Sequence, residues 1–254
     1  MSTSALDQDL WIRRYHPSAD DSPRLVCFPH AGGSASFFFK LSALLSPAVD
    51  VLAVQYPGRQ DRRHEPCART IDELATSLAD ASAGWRTRPY AFLGHSMGAV
   101  VAYELTRRLH EASEPGPFRL IASGRRAPSV FRPGEVHLRD DEGLLAELRE
   151  LGGTDERLLA DPEIRQLTFG PMRSDYRAVE TYVHTPGFTL TCPVTVLTGT
   201  HDPHTTADDA AAWAGHTTRD CDVRTFTGGH FFVEERRTEV ADAIRRALGV
   251  PDTA

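Results

Sequence analysis

The chain has 254 residues, 41% apolar and 25% charged, enough for one large α/β domain that builds its core without disulfides or structural metal. Its formal charge of −7 excludes a general polyanion binder, which needs a basic face, so no nucleic-acid partner is expected. The four cysteines show no CxxC pairing and read as free thiols in a reducing compartment. The N-terminal MSTSALDQDLWIRRYHP lacks the apolar stretch of a signal peptide, and no run approaches the ~20 apolar residues of a membrane span. A soluble cytoplasmic protein is expected. Lys40 is the only lysine, so arginine is the default cation and arginine runs carry little functional weight.

Short apolar runs alternate with amphipathic segments, the pattern of a parallel sheet flanked by helices. Arg24–Phe28 and Val49–Gln55 read as buried strands. A helix opens at Thr70, with Thr70 and Glu73 as a capping box and Ile71, Leu74 and Leu78 on one face. Tyr90–Leu93 is the next strand, followed by a helix over Met97–Leu109. Strands follow at Phe118–Ala122 and Val194–Thr198, each entered just after a proline, and at Val223–Phe226, with a last helix over Glu234–Leu248. Arg125–Pro186 breaks the alternation. It offers a helical leucine stripe (Leu144, Leu145, Leu148, Leu151) ended by Gly152 and Gly153, then Asp161-Pro162 as the cap and first residue of a helix reaching towards Tyr182. Such an insertion is either a lid or a pair of ordinary crossover helices.

Gly94-His95-Ser96-Met97-Gly98 matches G-x-S-x-G between a strand and a helix, the context that motif requires. The turn lifts the Ser96 hydroxyl clear of the sheet and aims the Met97 N–H at a bound carbonyl. A serine nucleophile needs a base, which in this fold follows the last strand, with the acid between the two in chain order. His230, in Thr227-Gly228-Gly229-His230-Phe231-Phe232, has that place. His16, His64, His110, His137 and His216 lie in polar contexts and read as solvated, and His95 either packs inside the elbow or lines the pocket. Asp202, after the strand at Val194–Thr198, is the candidate acid. Asp208 and Asp209 read instead as the first turn of a helix capped from Thr205 or Thr206, and Gly124–Pro128, where some relatives of the fold carry the acid, has no carboxylate. His30-Ala31-Gly32-Gly33 resembles a glycine-rich oxyanion loop, whose small residues would bring a second backbone N–H beside that of Met97. His201, Asp202 and His204 lack zinc-site spacing, and no Walker or dinucleotide motif occurs; neither metal nor cofactor is expected.

The segments FPHAGG (Phe28–Gly33), QYPGR (Gln55–Arg59), GHSMG (Gly94–Gly98), GTHDP (Gly199–Pro203) and GGHFF (Gly228–Phe232), in this order over nearly the whole chain, resemble those of type II thioesterases, the stand-alone editing enzymes of polyketide and nonribosomal peptide assembly. The resemblance implies an α/β-hydrolase fold, one domain over residues 1–254 with a helical lid at about 125–186. It also implies hydrolysis of acyl groups from the phosphopantetheine arm of an acyl or peptidyl carrier protein, with Ser96, Asp202 and His230 as the triad and the Ala31 and Met97 amides as the oxyanion donors. The acidic carrier would need a local basic patch, for which Arg59, Arg62 and Arg63, or Arg125 and Arg126, are candidates. Two rivals remain: an esterase or acyltransferase on small oxygen esters using the same triad, and a non-catalytic module that holds an acyl carrier.

Overall fold

The computed structural model describes residues 10–152 and 161–251; the N-terminal nine residues of the leader reading and Gly153 of the helix stop lie outside them. Seven strands, β1 (Ile12–Arg13), β2 (Arg24–Phe28), β3 (Asp50–Val54), β4 (Tyr90–His95), β5 (Leu120–Ser123), β6 (Val194–Gly199) and β7 (Cys221–Phe226), form one sheet in the order β1-β3-β2-β4-β5-β6-β7. β1 runs antiparallel to β3 at the edge, and each other neighbouring pair is parallel. This is the expected α/β-hydrolase architecture.

The parallel strands are apolar without alternation because both faces are covered. Val26, Phe28, Leu52, Val54, Phe92, Leu120 and Val196 bury one face against α2 (Ile71–Ala81) and α3 (Met97–Glu111), through Ile71, Leu74, Leu78, Val100 and Leu105. Leu25, Cys27, Val51, Ala53, Leu93, Ile121 and Leu197 bury the other against α1 (Phe39–Leu45) and α8 (Arg237–Leu248). Full burial of each valine, leucine, isoleucine or phenylalanine among them is worth about 1.5–3 kcal/mol, so the odd–even division of every central strand ties the layers together. The Thr70 hydroxyl accepts the Glu73 N–H at 3.0 Å, but the Glu73 carboxylate takes the N–H of Arg69, one residue before the position a capping box uses.

Between β5 and β6 no strand occurs among the described residues. α4 (Asp141–Leu151) and α5 (Pro162–Glu180) stand there, capped by Asp140 and Asp161, whose carboxylates accept the N–H groups of Gly143 and Glu163. α5 runs through Pro171, which has no N–H for the carbonyl four residues before it. Leu144, Leu145 and Leu148 pack with Val136, Phe169 and Met172 into a small core of their own. β6 is followed by α6 (Ala207–Ala211), where Thr206 caps and Asp209 reaches back to the Thr206 N–H. The helix expected over Glu234–Leu248 is two pieces, α7 (Phe232–Glu235) and α8. They break at Arg236, whose φ of −110° and ψ of 36° are non-helical and whose guanidinium holds the Thr227 carbonyl. Among the described residues no helix is long and apolar enough to cross a membrane.

Candidate active site

In an open parallel sheet a cleft forms where successive connections leave in opposite directions. That point here lies between β2 and β4, since β2 leads to β3 on one side and β4 takes the place on its other side. The loops leaving their carboxyl ends carry His30–Gly33 and Ser96.

Ser96 sits in the one-residue gap between β4 and α3 at φ 55°, ψ −117°, a conformation that costs a non-glycine residue about 1–3 kcal/mol. Its N–H is held by the Ser123 carbonyl at 2.8 Å, and its own carbonyl accepts the Ala99 N–H. A side chain on Gly98 would run into the Phe28 carbonyl, and one on Gly94 into the backbone of Gly98 and Ala99. The glycines are there because two strands and a helix meet within backbone contact.

His230 and Asp202 are both buried, and the His230 Nδ1 lies 3.0 Å from each Asp202 carboxylate oxygen. An ionised carboxylate only accepts, so Nδ1 carries the proton and Nε2 is left as the acceptor. Asp202 is further fixed by the His204 N–H at 2.9 Å. Asp209, the weighed rival, is spent on its helix cap and on Arg132. Ser96 and His230 line one cavity of about 720 Å³, roofed by Leu148, Leu151, Met172 and Tyr176 of the insertion. The leucine stripe has two roles: Leu144, Leu145 and Leu148 pack the insertion, and Leu148 and Leu151 line the cavity.

Ala31 also lines the cavity. Among the described residues neither the Ala31 nor the Met97 amide is given to a protein acceptor; the Met97 amide is one of the free donors that every helix start leaves. The next amide, Gly32 N–H, is taken: Asp175 Oδ2 accepts it at 2.8 Å. Asp175, from α5 and 1% exposed, also holds Arg59 by two hydrogen bonds of 2.5 and 2.9 Å, and Arg59 in turn donates to the Gly33 carbonyl at 3.0 Å. Gln55 completes the brace by accepting the Ala35 N–H and donating to the Arg59 carbonyl. QYPGR thus shapes the loop after β2. Asp175 carries no signal in the sequence, and Gln55 and Arg59 stand out there only within QYPGR, Arg59 as a candidate for a docking patch rather than as a buried brace.

Arg59 and Arg62 accordingly leave the expected docking patch. Arg59 is buried against Asp175, and Arg62 is buried over the Trp11 ring, paired with Glu65. Arg63 is exposed, while Arg125 and Arg126 are half-buried and line the cavity. His216, expected in solvent, is buried beside Trp213 and Tyr103, with Nε2 2.8 Å from the Ser129 hydroxyl; burial pushes its pKa down to about 4. His95 packs rather than lining the cavity: it stacks on Phe37, lies 5.2 Å from the His230 ring and contacts the Ser123 hydroxyl. Burial, then the charge of His230, depress its pKa strongly. Burial, then the charges of His230 and Arg59, push His30, wedged between Phe37 and Phe231, down to about 3. Both rings are neutral apolar walls around the base.

Residues 23–248 match the family model for the thioesterase domain. The thioesterase PikA5 of Streptomyces venezuelae is 47% identical, over 97% of this chain and 90% of its own. The type II thioesterase BorB from the borrelidin biosynthetic cluster superposes with a TM-score of 0.88 at 47% identity, over 94% of this chain and 98% of its own. The type II thioesterase YbtT from the yersiniabactin NRPS/PKS pathway superposes with a TM-score of 0.82 at 30% identity, over 93% and 97%.

Proposed function

The chain belongs to the thioesterase family, among its type II members, and from that premise we propose that it clears acyl groups from the phosphopantetheine arm of an acyl or peptidyl carrier protein, as an editing enzyme of polyketide or nonribosomal peptide assembly working in the cytoplasm. The observation that carries the reading is the pairing of buried His230 with buried Asp202 in one cavity with the strained Ser96.

Asp202 fixes the His230 tautomer, and Nε2 takes the Ser96 proton as Oγ attacks the thioester carbonyl. The Met97 and Ala31 amides receive the oxyanion, each such donor being worth about 3 kcal/mol in the transition state. The C–S bond then breaks and the arm leaves as a thiol, protonated by His230, with the acyl group on Ser96. A water deprotonated by His230 attacks this ester, and collapse of the second intermediate returns the proton to Ser96 Oγ and frees the acid. The insertion over the cavity acts as the lid, keeping bulk water from the acyl chain, and the unpaired thiols among the described residues suit a reducing compartment.

The test loads one carrier protein with a short acyl group and follows the loss of acyl mass from its arm. It compares kcat/KM with that for an oxygen ester of the same acid, in the unaltered protein and in Ser96→Ala. Faster turnover of the carrier-bound thioester, abolished in Ser96→Ala, is expected. Preference for the oxygen ester would turn the assignment to an esterase, and full hydrolysis by Ser96→Ala would remove Ser96 from the mechanism.

A further inference from the structure

A carboxylate of the insertion reaches the loop that carries the catalytic acid. Glu147 stands on α4, whose leucines Leu144, Leu145 and Leu148 pack on Val136, Phe169 and Met172 of the insertion itself. The Glu147 side chain is turned into the cavity that Ser96, His204 and His230 also line, and it is 4% exposed. Its Oε2 accepts from the Arg139 guanidinium at 2.9 Å. Its Oε1 is buried without a hydrogen bond and lies 3.3 Å from His204 Nε2 as an ion pair. His204 holds the Glu147 carboxyl below its ordinary range, against burial and with Arg139 adding to it.

His204 in turn touches two members of the triad. Its main-chain N–H donates to Asp202 Oδ1 at 2.9 Å, the oxygen that also lies 3.0 Å from His230 Nδ1. Its ring stands edge-on to the His230 ring, 5.6 Å between centroids. The His230 ring has two further walls, His95 and Phe231, each with its ring 5.2 Å away and both buried in the body of the protein. The His204 wall differs from these, because its side chain is 41% exposed. Packing alone does not fix a ring so open to solvent, since exposed side chains change rotamer freely. The restraint on this side of the base comes from Glu147.

We propose that Glu147 is a positioning residue for the catalytic base. With α4 over the cavity its carboxylate fixes the His204 ring, and His204 seats the Asp202–His230 pair, so the triad is aligned when the insertion covers the acyl group. This rests on the thioesterase reading above and adds to it a link between closure and chemistry. Alignment matters because a misplacement of about 1 Å costs on the order of a hundredfold in rate.

The test measures kcat and KM for a propionyl group carried by a carrier protein and by N-acetylcysteamine, a small thiol that needs no docking. The variants are Glu147→Gln, His204→Gln and the two combined, each checked by thermal melting. Glu147→Gln is expected to lower kcat about ten- to a hundredfold on both substrates, with KM little changed. His204→Gln should fall as far, and the double variant no further than the worse single one, because both act through the same ring. Should Glu147→Gln melt low, His204→Gln, at a half-exposed position, gives the same readout in a folded protein. Unchanged kcat in the folded variants overturns the proposal. So does a rise in KM confined to the carrier-bound substrate, which would make Glu147 part of docking. Falls that multiply in the double variant overturn it too, since the two residues would then act separately. No turnover of either substrate by the unaltered protein sinks the thioesterase assignment, whereas turnover that the variants leave unchanged sinks only the role of Glu147.

Discussion

Replacing Asp175, on α5, strikes the His30–Gly33 loop through the Gly32 N–H that it accepts. The carboxylate neutralises Arg59, 6% exposed, through two hydrogen bonds and accepts the Gly32 N–H. Burial works against the Arg59 charge, and Asp175 more than compensates, raising its pKa. Asp175→Ala leaves a buried guanidinium unpaired, a change that costs about 3–5 kcal/mol where only one partner is removed. Arg59→Met alone strands the carboxylate at a similar cost. The double variant Arg59→Met with Asp175→Leu removes both charges and should come within about 1–2 kcal/mol of the unaltered protein, giving a large coupling energy in the cycle. Urea unfolding supplies the four stabilities. Because the pair is buried, half-molar salt should change the coupling little. Activity adds a second readout. If the bridge holds the Ala31 amide in register, the double variant, though folded, should lose about a hundredfold in kcat, the scale for one oxyanion donor, with KM nearly unchanged. Additive single variants would show that the pair is energetically idle. Unaltered kcat in the folded double variant would show that the loop holds its shape without Arg59.

Asp202→Asn should reduce kcat about ten-thousandfold while leaving the melting temperature near that of the unaltered protein, because the amide keeps the shape but no longer fixes the His230 tautomer; steady-state kinetics on an acyl carrier measures it. Gly98→Ala should lose both stability and turnover, since its Cβ would collide with the Phe28 carbonyl, and thermal melting with an activity assay detects the joint loss. His216 is held neutral with a pKa near 4, below the ordinary value near 6.5. The unfolded chain therefore binds the proton first, and stability is full above about pH 6.5 and falls as pH drops towards 4. A urea midpoint that declines over this window, and declines less in His216→Gln, is expected.

The six parallel strands and the sharp turn at Ser96 were legible because they rest on local grammar: apolar runs of strand length, two glycines spaced around a serine, a proline or threonine where a helix starts; the two-residue edge strand Ile12–Arg13 was not. His230 and Asp202 could be named for the same reason, since each follows a strand whose place in the chain order is set. Arg59, Asp175 and His216 were not legible. A charged or titratable residue in a polar stretch reads as solvated, and only a partner 116 residues away makes Arg59 a buried brace; nothing in QYPGR points to α5. The same blindness held at Arg236, where a helix-compatible run breaks because a guanidinium takes the Thr227 carbonyl. Burial of a charge is decided by pairing, and pairing is a property of the assembled layers.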